Sequence, residues 1–162
     1  MTIANEPNLD NRYRAEQAEL ILSTLYRLTG RHLVDEELSE IDRYRSLYEA
    51  PVAVLSHNTA ADPIFNYANK RAQRLFEFSW KQFTELPSRL SAEPLVREER
   101  ARLLERVAQV GFIDDYRGVR VSSSGKRFLV EEAIIWNLVD DNNIYQGQAA
   151  ALYRCSPLES LF

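Results

Sequence analysis

Few residues in this chain carry chemistry, and they are scattered. His57 stands with Asn58 and Asp62 in a short polar stretch. An imidazole near a carboxylate suits ligand contact, proton transfer or pH sensing. The same residue types also suit a plain turn, because Asn, Asp and His side chains bond local backbone groups. Arg89 sits between Ser88 and Leu90, apart from the charged run of Arg97, Glu98, Glu99 and Arg100. A guanidinium at Arg89 or Arg97 can clasp an anion bidentately, whereas a charge run on a helix ordinarily faces water. Asp114, Asp115, Glu131 and Glu132 offer carboxylates, with Arg117 and Arg120 close by in sequence. No nucleophile–base–orienter set accompanies them, and cross-strand Arg–Glu pairing accounts for them more simply. His32 and His57 are the two histidines and Cys155 is the one cysteine, so no metal site and no internal disulfide are expected. Cys155 has no neighbouring His to activate it and reads as an inert thiol.

The elements that position these residues are read from periodicity and punctuation. A helix is expected from Asp10 or Asn11 to Thr29, stopped by Gly30. A second runs from Asp35 or Glu36 to Glu49, with Leu38, Ile41, Tyr44, Leu47 and Tyr48 as its stripe and Pro51 as its stop. This helical hairpin either covers one face of the main domain or makes a dimer. PVAVLS (51–56) is a buried-type strand. A second strand holds Ile64, Phe65 and Tyr67, and Asn69 caps the helix after it. Ser79 and Gln82 have capping-box spacing, and Pro87 ends that short helix near Leu86. Leu95 to Val110 is an amphipathic helix ended by Gly111. Beyond it the period changes to two. Strands at 112–121, 127–139 and 144–153 are joined by the turns SSSG (122–125) and DDNN (140–143), which makes an antiparallel meander.

The expected class is therefore α+β, with a five-stranded antiparallel sheet and the central helices on one face, preceded by the helical hairpin. The division is 1–50 for the helical extension, 51–155 for the sheet domain and 156–162 for a tail. The 162 residues are 45% hydrophobic with a net charge of −4, which supports a packed core and no general attraction to nucleic acid. No apolar stretch reaches the length of a membrane span, and MTIANEPNLDNRYRAEQ lacks a basic segment followed by an apolar run. A cytoplasmic protein that binds neither membrane nor nucleic acid is the expectation.

Several stretches carry a resemblance. IFNYANKRAQRLFE, SSSGKRFLVE and WNLVDDNNIYQGQAA resemble, in this order, parts of the PAS fold. More narrowly, SHNTAADPIFNYAN, LPSRLSAEP, REERARLLERV, GFIDDYRGVRVSSSG and WNL together are similar to the MEKHLA domain, a PAS-related family, over about Pro51 to Leu152. The PAS resemblance implies a sensory or regulatory module. Such a module binds a small molecule between sheet and helices, or a protein partner, often as a homodimer. The flavin-adduct branch has a reactive Cys after the short central helices, and PSRLSAEP has none. The haem branch has an axial ligand near the long helix, and 95–110 holds no His, Cys or Met. The cofactor therefore stays unknown.

On this resemblance the pocket is expected at Phe65, Tyr67, Phe76, Trp80, Phe83, Leu90 and Trp136, with Arg89 as the orienting charge. His57, Asp62 and Arg97 are secondary candidates. Two alternatives stand beside it. One is a dimerisation module with a filled core. The other is a small enzyme using His57 with Asp62 or Glu93.

Overall fold

The computed structural model describes residues 6–92 and 94–158. Helix α1 (Ala15–Thr29) buries Ala18, Ile21, Leu22, Thr24 and Leu25. Gly30 closes it at φ 74°, donating its backbone N–H to the Tyr26 carbonyl at 2.8 Å, a geometry that glycine adopts without strain. The helix starts later than its sequence suggests. Asn8 and Asn11 bond each other's backbone N–H groups at 3.0 and 3.1 Å, and Asn11 Oδ1 also accepts from Arg14 N–H at 3.2 Å. These side-chain contacts compete with helical bonding, and Arg12, Tyr13 and Arg14 stand at φ 54°, 55° and 56°. Helix α2 (Glu40–Tyr48) is shortened in the same way. Asp35 Oδ1 accepts from Glu37 N–H at 2.9 Å, which holds 35–38 as a turn and leaves Leu38 exposed rather than on the buried stripe.

The core domain continues as β1 (Ala53–His57), β2 (Phe65–Ala68), α3 (Lys70–Phe76) and α4 (Trp80–Phe83). A 3-10 turn (Ser88–Ser91), α5 (Pro94–Val110), β3 (Phe112–Val121), β4 (Arg127–Val139) and β5 (Tyr145–Pro157) complete it. Ser79 and Gln82 form the expected capping box on α4. The five strands make one antiparallel sheet in the order β2-β1-β5-β4-β3. The meander is thus joined to the first hairpin through β1 beside β5. Strand β5 runs past Tyr153, because Leu129 pairs with Ser156 and Phe128 with Pro157. Residues 156 and 157 are sheet rather than tail. Past Leu152, β5 has β4 as its partner and no longer pairs with β1, so a proline at its end removes no ladder bond from a second neighbour.

Both faces of the sheet are covered. On one, α1 and α2 pack Ile21, Leu25, Tyr44 and Leu47 against Val54, Ile134, Trp136, Leu138 and Ala151. On the other, Ala72, Phe76, Phe83 and Val107 from α3, α4 and α5 meet Leu55, Ile113, Phe128, Ile135 and Leu152. Adjacent residues of a strand point to opposite faces. That is why the run AIIW (133–136) is apolar throughout: Ile134 and Trp136 serve the first core, Ala133 and Ile135 the second. Each large aliphatic side chain so buried contributes roughly 2 kcal/mol.

The β3–β4 turn is docked on the end of α3. The Glu77 carboxylate accepts from the hydroxyls of Ser122, at 2.7 Å, and Ser124, and lies 3.3 Å from Lys126 Nζ. The serine hydroxyls, more than the lysine charge, hold the Glu77 carboxyl at about 2 against an ordinary value of 4.5. A depressed carboxylate stabilises the fold above its unfolded pKa and ceases to do so as pH falls through its folded one. The melting temperature of the native protein should therefore exceed that of Glu77→Gln near neutral pH. The gap should close as pH drops from about 4.5 toward 2. Thermal denaturation across that range checks it, and a gap independent of pH would show the carboxylate charge to be irrelevant.

Candidate ligand cavity

On the face covered by α3 and α5, packing leaves a cavity of about 50 Å³. Its apolar walls are Leu55, Phe65, Phe76, Leu103, Ile135 and Leu152. Its polar side chains are His57, Ser91, Tyr116, Arg120 and Gln148, with the small side chain of Ala150 on the floor. Ser56 and Ala149 also border it, with their side chains turned to the α1 side of the sheet. The strands place these groups by register. His57 lies opposite Gln148 across β1 and β5, and Leu55 lies opposite Ala150.

His57 is almost fully buried, and its Nδ1 lies 2.8 Å from the Asn58 carbonyl. A carbonyl only accepts, so Nδ1 carries the proton there. Gln148 donates to Asn137 Oδ1 at 3.0 Å, and Asn137 donates to the Val107 carbonyl at 3.1 Å, tying the cavity wall to α5. On the cavity wall stands Tyr116. Its ring is 2% exposed, and its buried hydroxyl has no hydrogen-bond partner among the described residues. Two positions along β3, a Cβ on Gly118 would stand 2.7 Å from that hydroxyl. Glycine therefore makes the room that the tyrosine occupies. Two further, the Arg120 guanidinium lies over the same ring, 5.3 Å from its centre, and its Nη1 donates to Ser91 Oγ at 3.3 Å. Ser91 in turn donates to the Ser88 carbonyl at 2.7 Å.

The residues expected at a pocket are divided by the sheet. Phe65 and Phe76 line the cavity, as does His57. Phe83 stands behind them, edge-on to Phe65 at 5.0 Å and to Phe76 at 5.6 Å. Tyr67, Trp80 and Trp136 belong to the opposite core under α1 and α2, where Trp80 meets Tyr67 edge-on at 5.7 Å. Regular alternation would keep Phe65 and Tyr67 on one face; the bulge between them in β2 sends them to different cores. Arg89 is on the surface, where its Nε donates to the Asp62 carboxylate at 3.1 Å. That pair takes up both Arg89, expected as the orienting charge, and Asp62, expected beside His57. Leu90 is 43% exposed and lines no part of the cavity. Glu93 and the Arg97 side chain lie outside the described residues.

No curated protein matches the sequence. The family model described as the MEKHLA domain matches residues 15–156. The chain belongs to the MEKHLA domain family. The match takes in both leading helices, which agrees with their burial against the sheet. The fold of this MEKHLA domain is PAS-like. A PAS domain of a protein from Colwellia psychrerythraea superposes with a TM-score of 0.61 at 14% identity, covering 72% of this chain and 94% of that one. A light-oxygen-voltage domain studied with a flavin analogue gives 0.57 at 12% identity, covering 73% of this chain and 85% of that one. A PAS domain from a two-component sensor histidine kinase gives 0.54 at 18%, with 70% and 91% covered.

A flavin does not fit the MEKHLA cavity as it stands. Its roughly 50 Å³ is well below the about 300 Å³ at which pockets for drug-sized ligands begin. Cys155 is on β5, opposite Val130, and burial pushes its thiol pKa up, the reverse of activation. The polar cavity side chains that sequence alone did not bring to the site are Ser91, Tyr116, Arg120 and Gln148. The spacing of Tyr116, Gly118 and Arg120 along one strand was the available signal, since residues two apart share a face.

Proposed function

We propose that this MEKHLA domain is a sensory or regulatory binding module, and that the cavity between sheet and helices is its ligand site. The observation that supports this reading most is the cavity's construction: apolar walls, with an imidazole, a guanidinium and a buried hydroxyl converging on one small space. Its size calls for a small ligand. At about 10–15 Å³ per water-sized group, about 50 Å³ admits roughly three to five such groups. The test is native mass spectrometry of protein purified from its own host, repeated under denaturing conditions. A small mass lost on denaturation supports the site. Ala150→Leu, which fills the floor with three extra carbons, should then abolish that mass while costing no more than about 1–3 kcal/mol in stability. Retention of the ligand in the filled variant would move it elsewhere.

The small volume also favours a second reading, in which the core is close to filled and the domain acts by protein contact. The sheet face that is free in a bare five-stranded sheet is occupied by α1 and α2 here. A partner would therefore dock elsewhere or displace the hairpin. A ligand-free mass together with a dimer peak would favour this reading.

A further inference from the structure

We infer that the cavity selects a small carboxylate, with its charged head at Arg120 and Tyr116 and a short apolar tail toward Phe65, Phe76 and Ile135. This rests on the cavity being the ligand site and names the class of ligand. Three observations carry it. First, Arg120 lines the cavity, and among the described residues no carboxylate pairs with it. One of its five N–H groups is engaged by Ser91, so several remain for a planar anion. None of the residues lining the cavity is acidic. Second, the Tyr116 hydroxyl is buried on the same wall and has no partner among the described residues. An unmade hydrogen bond at a buried donor is costly, and a carboxylate oxygen would supply the acceptor. Third, these groups are fixed before anything binds. The guanidinium is stacked on the Tyr116 ring and held by Ser91, which is itself held by the Ser88 carbonyl. Groups already in place lose little freedom on binding.

The cavity's volume sets the chain length. Acetate or propionate is of the right size, and longer acids are not. Even at the best efficiency known for tiny ligands, an ion of four heavy atoms binds no tighter than about tens of micromolar and one of five no tighter than about a few micromolar, and the millimolar range is the realistic one.

The experiment uses the full chain, titrated with sodium acetate, propionate and nitrate and with neutral acetamide and propionamide, at ionic strength held constant with chloride. Binding is followed by calorimetry and by NMR shifts of the cavity residues. The expected result is saturable binding of acetate or propionate, at least tenfold weaker binding of the matching amide, and a further tenfold to hundredfold loss in Arg120→Gln, about the effect of removing one charge-assisted bond. Tyr116→Phe should weaken carboxylate binding by about tenfold and the matching amide, whose carbonyl is a neutral acceptor, by clearly less. Because Arg120→Gln also removes the Ser91 contact, its melting temperature is measured alongside. If it unfolds, Tyr116→Phe alone decides. Amides binding at the cavity as well as the acids would overturn the carboxylate preference and leave the cavity as a ligand site. Nitrate binding as well as the acids would overturn the role of the apolar tail. No cavity shift with any probe would overturn both the inference and the site.

Discussion

Asn69→Ala should be the most destabilising single substitution at any polar position of this domain, lowering the melting temperature by about 6–20 °C. Asn69 is fully buried at the junction of β2 and α3. Its Oδ1 accepts from Ala72 N–H at 3.0 Å and from Val54 N–H at 3.0 Å. Its Nδ2 donates to the Leu47 carbonyl at 3.1 Å and the Val52 carbonyl at 2.8 Å. One amide therefore caps α3, holds the start of β1 and ties down the end of α2. Alanine would remove all four bonds, and of the groups that made them the Leu47 carbonyl keeps the Ala50 N–H at 3.3 Å. At roughly 1 kcal/mol or more each, the loss is about 3–5 kcal/mol, and a domain of this size loses about 2–4 °C per kcal/mol. Thermal and urea denaturation measure it. A loss below about 1 kcal/mol would mean that water replaces the amide and that the junction does not depend on it.

Gly147→Ala should cost a similar amount by a different route. Gly147 stands at φ 128°, and a Cβ there would come 2.0 Å from the backbone carbonyl oxygen of His57. Backbone cannot rotate away as a side chain can, so β1 and β5 must part at this point. The unfavourable φ adds about 1–3 kcal/mol, and the broken approach brings the total to about 3–5 kcal/mol. The consequence reaches the cavity, because His57 and Gln148 are paired at the same place. Amide NMR should show shifts concentrated at 55–58 and 146–149, and any ligand binding in the cavity should weaken. Shifts spread evenly, or a stability change near zero, would show that the strands tolerate the methyl group. The contrast with Gly125 sharpens the test. Gly125 has φ 84° but nothing within 4 Å of its Cβ position, so Gly125→Ala should show the conformational cost alone.

The sequence by itself was enough for the elements and their order. Alternating apolar residues in 112–121 and 127–139, the SSSG and DDNN turns, and the caps at Asn69 and Ser79 are local signals, and the structure agrees with them. The misplaced helix starts have a local cause too, in Asx contacts at Asn8, Asn11 and Asp35 that compete with helical bonds. What sequence could not supply was the partner of each side chain across the fold. Asn69 reads as a helix cap, yet its other bonds reach 15, 17 and 22 residues back along the chain. Phe65 and Tyr67 read as one aromatic pair on one face, yet a bulge in β2 breaks the alternation and puts them in different cores. Arg89 reads as the arginine of the pocket because of its neighbours in sequence. Arg120 holds that place instead, because antiparallel pairing and the 3-10 turn bring β3 up against Ser91, 29 residues away. Hydrophobic pattern and turn chemistry act over a few residues and so survive in the order of letters. Which groups meet in a cavity depends on register, bulges and the packing of helices on a sheet, and these are decided only when the whole chain closes.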